Sequence, residues 1–259
     1  MLIELLRRGV KVDKICFANT GKEKEETLVF VKQVGEYLNR EIVWLEFDDT
    51  IIDHSEKGLW FCNFFSGVIK PGFKVVTFET ASRKGEPFEL LLRKRNFLPN
   101  VVARFCTQEL KIRPQKKFLM SIGFERWVSY IGIRHDEPHR WVTTTQNQNN
   151  KQRWDNECPM VEWGTTKQHV NEYWQGMPFN LNLQAHEGNC DLCFLKGKHK
   201  RLQIIRDKPE TADWWDAMEK HYGATWIKHY SVQDLIRAAN QPLLFDEYDI
   251  DYPCFCNSD

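Results

Sequence analysis

A chain of 259 residues with 42% hydrophobic and 28% charged side chains has the make-up of a globular protein with enough apolar mass for a sizeable core. Lys plus Arg equals Asp plus Glu at 36 each, so the whole-chain charge gives no argument for attraction to nucleic acid or a membrane, and leaves room for local basic patches and a nucleic-acid partner. The opening MLIELLRRGVKVDKICF lacks the order of a secretory signal, and no apolar run approaches the roughly 20 residues that span a bilayer, so a cytoplasmic protein with no membrane attachment is expected.

Residues 14–20, KICFANT, hold the apolar run Ile15, Cys16, Phe17 and Ala18, which turn-forming Asn19, Thr20 and Gly21 end; this predicts a short buried strand. From residue 25 to residue 37, Leu28, Val31 and Val34, with Leu38 just beyond, recur at spacings of three and four, the stripe of an amphipathic helix. Residues 41–47, EIVWLEF, predict a second strand. Strand, helix and strand within about thirty residues make the βαβ unit of a parallel sheet, whose crossover is right-handed. The expected fold class is therefore α/β: a doubly wound, mostly parallel sheet with helices on both faces, followed by a helical, cysteine-bearing C-terminal region.

Residues 110–122 predict a helix with Pro114 in its first turn, where a missing N–H costs nothing. Residues 127–133, WVSYIGI, predict a third strand. After Arg140 the polar, amide-rich TTTQNQNNKQRWDNE reads as a surface loop or a boundary, and divides the chain into residues 1–145 and 146–259. Residues 165–174 and 208–221 predict helices in the second part.

Three stretches carry candidate chemistry. The turn of Asn19, Thr20 and Gly21 stands at the carboxyl end of a predicted parallel strand, where open α/β sheets bind ligands and the next helix offers free amides to an anion. In YIGIRHDEPHR, Arg134 and Arg140 suit bidentate binding of phosphate or sulfate, Asp136 or Glu137 suits magnesium, and the plain alternative is a solvated loop with internal ion pairs. In GNCDLCFLKGKHK, Cys190 and Cys193 can share one metal or cluster, or act as a redox dithiol. Further ligands would come from Cys106, Cys158, or the terminal pair Cys254 and Cys256, whereas Cys16 and Cys62 lie in apolar surroundings and read as core thiols.

In that order, FANTGKEKEETLVF, CTQELKIRP, YIGIRHDEPHR and GNCDLCFLKGKHK resemble the phosphoadenosine phosphosulfate reductase-like branch of the adenine nucleotide alpha-hydrolase family, which includes many phage-encoded proteins. The resemblance implies an adenine-nucleotide-binding domain over residues 1–145, with Thr20 and Gly21 near the nucleotide (ATP or phosphoadenosine phosphosulfate). It places Lys111, Arg134 and Arg140 near phosphates or sulfate, with magnesium as an added cofactor beside Asp136. It also favours iron over zinc: a 4Fe-4S cluster on Cys106, Cys190, Cys193 and Cys256, with Cys158 in reserve.

The implied activity is sulfonucleotide reduction or ATP-dependent substrate activation and sulfur transfer, with a donor protein for electrons or sulfur. The different-class alternative is a non-catalytic nucleotide-binding or zinc-stabilised module in a nucleic-acid-modifying assembly. Two features depart from the family. Its Ser/Gly-rich phosphate loop would precede the helix in which Met1 lies, so weak adenine-nucleotide binding is expected of residues 1–259. Its C-terminal Glu-Cys-Gly-Leu-His motif is replaced by Tyr252, Pro253, Cys254, Phe255 and Cys256.

Overall fold

The computed structural model describes residues 1–49, 72–146 and 152–241, together with the backbone of two short strands at 52–53 and 68–69. Helix α1 (Leu2–Arg7) leads to β1 (Cys16–Asn19), α2 (Glu25–Leu38) and β2 (Val43–Glu46). These are followed by β3 (Ile52–Asp53), β4 (Val68–Ile69), β5 (Lys74–Val76) and α3 (Glu86–Arg95). A π-helical segment (Thr107–Ile112) runs directly into α4 (Arg113–Ser121), and β6 (Trp127–Tyr130), α5 (Pro138–Gln146) and β7 (Trp154–Glu157) come next. The remainder is helical: α6 (Pro159–Glu162), α7 (Lys167–Gln175), α8 (Lys198–Asp207), α9 (Thr211–Tyr222) and α10 (Val232–Ala239). No helix among the described residues is long and apolar enough to cross a membrane.

The fold is mixed α/β. Strands β1 and β2 pair in parallel, Cys16 opposite Val43 through Asn19 opposite Glu46, as the βαβ pattern predicts. Strand β5 then joins the other side of β2 antiparallel, so the sheet order is β1-β2-β5. Strands β6 and β7 form a separate parallel pair, and β3 and β4 an antiparallel one.

Alternation along β2 decides what covers the three-stranded sheet, since successive side chains point to opposite faces. Trp44 packs with Leu28 of α2 and with Ala81 on one face. Val43 and Leu45 pack with Phe118 of α4 on the other. Glu46 is fully buried at the end of β2, and its carboxylate accepts from Asn19 Nδ2 (2.6 Å), Ser82 N (2.6 Å) and Ser82 Oγ (2.8 Å), with Lys74 Nζ at 3.0 Å. Full satisfaction is what makes a charge tolerable there.

The main core lies in the helical half. Phe88, Leu91 and Leu92 of α3 meet Leu192, Phe194 and Leu195, the interior faces of α8 and α9, and Trp215 and Trp226. Phe194 stacks on Trp226 at 5.9 Å, and Trp215 meets Trp226 edge-on at 4.6 Å. These rings wall the turn that carries Cys190 and Cys193.

Two expectations change in detail. The stretch after Arg140 is not a continuous loop, because Pro138 starts α5 and helix persists to Gln146, while Trp154–Glu157 pairs with β6 as an edge strand despite its polar composition. The helix expected from residue 110 begins earlier. Arg113 N–H donates to Gln108 O, five residues back, and this wider turn accommodates Pro114.

Helix α10 opens on a capping box in which Ser231 Oγ accepts from Asp234 N, and Asp234 Oδ2 accepts from Ser231 N (2.8 Å) and Ser231 Oγ (2.7 Å). Those hydrogen bonds, with Arg237 alongside, lower the Asp234 carboxyl to about 2. A carboxyl with a depressed folded value adds stability above its unfolded value, near 4, and that stability is lost as pH falls towards 2. NMR titration of Asp234 is expected to give a midpoint near 2, and Asp234→Asn is expected to flatten the acid limb of the stability curve between pH 4 and 2.

Candidate functional site

The loop after β1 and the turn holding Cys190 and Cys193 are joined through their backbones. Lys24 N donates to Asn189 O and Asp191 N donates to Lys22 O, both at 2.9 Å, which places Glu23 opposite Cys190 as an antiparallel bridge. Ion pairs flank this bridge on both sides. Lys22 Nζ lies 2.7 Å from Asp191 Oδ2, and Lys24 pairs with Glu187. Lys196 Nζ donates to Cys190 O at 2.6 Å. All three lysines are buried, and each has an oxygen partner that offsets its desolvation.

Gly21 makes the turn possible. Its φ is +77°, and a Cβ there would stand 2.8 Å from Pro87 Cδ at the start of α3, so both conformation and space require glycine. Asn19 Oδ1 accepts from Gly21 N at 3.1 Å and holds the turn to the end of β1.

Beneath the bridge lies a cavity of about 20 Å³ lined by Cys106, Cys190 and Cys193, with Thr20, Lys111 and Trp215 among its other walls. It has room for about one water molecule. Thr20 Oγ1 hydrogen-bonds Glu23 and lies 4.0 Å from Cys190 Sγ. Lys111 Nζ is 3.1 Å from Glu23 Oε1, so one buried carboxylate ties a hydroxyl and an ammonium together at the cavity wall.

Cys106, which caps the π-helical segment, and Thr107, Leu110 and Lys111 within it all line this one cavity. At 3.6 residues per turn, Cys106 and Lys111 would diverge by about 140°. Hydrogen bonds spanning five residues bring them to the same side.

Of the residues singled out from sequence, the structure therefore gathers Thr20, Lys111, Cys106, Cys190 and Cys193 around one space, with Gly21 shaping its entry loop. Arg134, Asp136 and Arg140 form a second cluster after β6, outside that lining. Arg134 Nε lies 3.0 Å from Asp136 Oδ1 and 3.6 Å from Glu137 Oε2, Arg140 also pairs with Glu137, and Asp136 Oδ2 accepts from Lys167 N at 3.0 Å. Arg140 Nε is buried with no hydrogen-bond partner among the described residues. Cys158 is buried beside Arg140 and Glu162, and burial raises its thiol above the ordinary range. Burial likewise pushes the Cys16 thiol up to about 11, which suits the core thiol that its strand predicts. Cys62, Cys254 and Cys256 lie outside the described residues.

The donor set round the cavity is soft and sulfur-rich, which suits iron-sulfur or zinc chemistry and not a hard oxygen-seeking cation. As placed, no three His, Cys, Asp or Glu side chains among the described residues are grouped as a metal ion requires, and seating one needs the thiols to draw inward. Sequence reasoning missed Glu23, Lys22 and Asp191, which position the site, and Trp215, which walls it. The signal for the first was a carboxylate between two lysines straight after the turn glycine.

Fold and site together define a mixed α/β protein whose strand-end loop is locked to a dithiol turn over a sulfur-lined cavity. Among known proteins the chain is similar to the uncharacterized nin region protein ORF290 of Escherichia phage lambda, at 26% identity over 210 residues, covering 80% of this chain and 64% of that protein. The chain thus spans just under two thirds of the relative's length. No family model matches, and no solved structure does.

Proposed function

We propose that this chain is an iron-sulfur protein of the phosphoadenosine phosphosulfate reductase-like type, in which Cys106, Cys190 and Cys193 hold a 4Fe-4S cluster beside an adenine-nucleotide site. The observation that carries the reading is the shared cavity, which three cysteines separated by up to 87 positions line together with Thr20 and Lys111. Cys256 is the proposed fourth ligand. The doubly wound sheet belongs to the same proposal; the parallel β1–β2 pair, with helices on both faces of its sheet, supports it.

In this reading Thr20 and Gly21 meet the nucleotide and Lys111 offers a cation to its phosphate or sulfate, with Arg134 and Arg140 as further anion-binding groups and Asp136 as the magnesium ligand. The chemistry is sulfonucleotide reduction or nucleotide-dependent activation of a sulfur acceptor, for which the cluster supplies electron or sulfur handling. Zinc is the second reading, favoured by a cavity closer in size to one ion than to a cluster.

Anaerobic purification followed by iron, sulfide and zinc analysis separates the two. Near four irons and four sulfides per chain, with visible absorption, is expected. One zinc and no sulfide would establish the second reading, and absence of both metals would end the first and the second alike.

A further inference from the structure

Residues 93–117 hold eight Lys and Arg against a single carboxylate, Glu109, in a chain whose total charge is zero. The stretch covers the end of α3, the loop 96–105, the π-helical segment and the first half of α4, which pack together. Glu109 is buried and already shared, since Arg95 pairs with one of its oxygens and Arg113 Nη1 lies 2.7 Å from the other. Lys94 Nζ is 2.9 Å from Asp49 Oδ2. The Lys117 ammonium is lowered first by burial, partly countered by Asp49, and then by the nearby charges of Lys94 and Arg113, so these cations form one spatial group.

Local structure accounts for only part of this charge. Arg93, Lys94 and Arg95 answer the negative end of the α3 dipole. Arg113 and Lys117, however, stand four apart within a continuous helix, a like-charge spacing that weakens it. Phe97 is 44% exposed and edge-on to Phe105 at 4.8 Å, and Arg95, which shares Glu109 with Arg113, lies over the Phe105 ring. Exposed aromatic rings among cations are what unpaired bases and phosphates bind together.

We propose that this face docks single-stranded nucleic acid, with its phosphates on Lys94, Arg95, Arg113 and Lys117 and a base on Phe97. Cys106, which lines the cysteine cavity, belongs to the same stretch. The strand's meaning as a substrate rests on the function proposed above; its binding does not.

The test is fluorescence anisotropy with a labelled single-stranded DNA of about 20 nucleotides, long enough to cover a typical single-strand site. Four phosphate contacts predict a roughly 50-fold loss of affinity between 50 and 200 mM salt. Lys94→Gln/Arg113→Gln/Lys117→Gln is expected to weaken binding at least about tenfold and to flatten that salt slope. Phe97→Ala is expected to weaken it roughly 5- to 150-fold. Should the triple variant fail to fold, the salt slope and Phe97→Ala carry the test. The wild-type protein should bind the strand whether or not it proves to hold metal, which separates this proposal from the metal reading. No binding at 50 mM salt, a salt-independent affinity, unchanged affinity in Phe97→Ala, or a duplex of the same sequence binding more tightly would overturn it.

Discussion

Replacing Asp191 with alanine is expected to cost about 3–5 kcal/mol of stability, the loss typical when one partner of a buried ion pair is removed. Asp191 Oδ2 holds Lys22 Nζ at 2.7 Å, and Asp191 Oδ1 accepts from Trp215 Nε1 at 2.8 Å. Truncation leaves the Trp215 indole N–H without its acceptor and the buried Lys22 ammonium with only the Trp214 ring, 5.0 Å away. The double variant Lys22→Met/Asp191→Ala should recover a large part of the loss, because it removes the stranded charge as well as its partner. Urea unfolding of the two single variants and the double variant measures the coupling. Additive losses would show that the pair contributes nothing jointly.

The second large effect falls on metal content. If the proposed cluster is present, Cys193→Ser is expected to abolish iron, sulfide and colour, and Cys106→Ser to do the same or leave a labile remnant, because each would remove one of its thiolates. Cys16→Ser is the matched control. Its thiol sits on β1 against the sheet core and is held neutral by burial, so its loss should leave metal content untouched. Elemental analysis and absorption spectra of the three proteins, prepared anaerobically, decide the point. Equal metal in Cys193→Ser and Cys16→Ser would remove the cysteine cavity from consideration.

Elements with one apolar face were legible in the sequence. The stripe of Leu28, Val31 and Val34 gave α2 within a residue of its observed end, and two apolar runs located β1 and β2 with the correct parallel sense. Strand β5 was not legible, because Lys74 and Val75 are exposed and only Val76 turns inward, so no alternation marks it. Helix α8 hides in the same way: its sequence, KHKRLQIIRD, is half charged, yet Arg201 is buried with Leu202, Ile204 and Ile205.

At the site, cysteine spacing pointed to Cys190 and Cys193, while the contribution of Cys106 depends on a π-helical turn that no residue pattern signals. The basic face was hidden for a different reason. Equal totals of positive and negative residues conceal a local excess over residues 93–117, and only the folded arrangement shows Arg95 and Arg113 sharing the stretch's single carboxylate, Glu109.

The bridge between the strand-end loop and the dithiol turn also sets the order in which the molecule can be made. Lys24 and Glu187 are 163 residues apart in the chain, so at ordinary synthesis speeds of about 5–20 residues per second the loop after β1 waits roughly 8–30 s on the ribosome for its partner. Until then Lys22 and Lys24 lack their partners Asp191 and Glu187, and Cys106 lacks Cys190 and Cys193. Closing so long a loop is entropically costly and is offset only when the aromatic core around Trp215 and Trp226 condenses. The sulfur-lined cavity therefore cannot close before the chain has been synthesised past Cys193, and a metal that needs all three of its cysteines cannot be seated earlier.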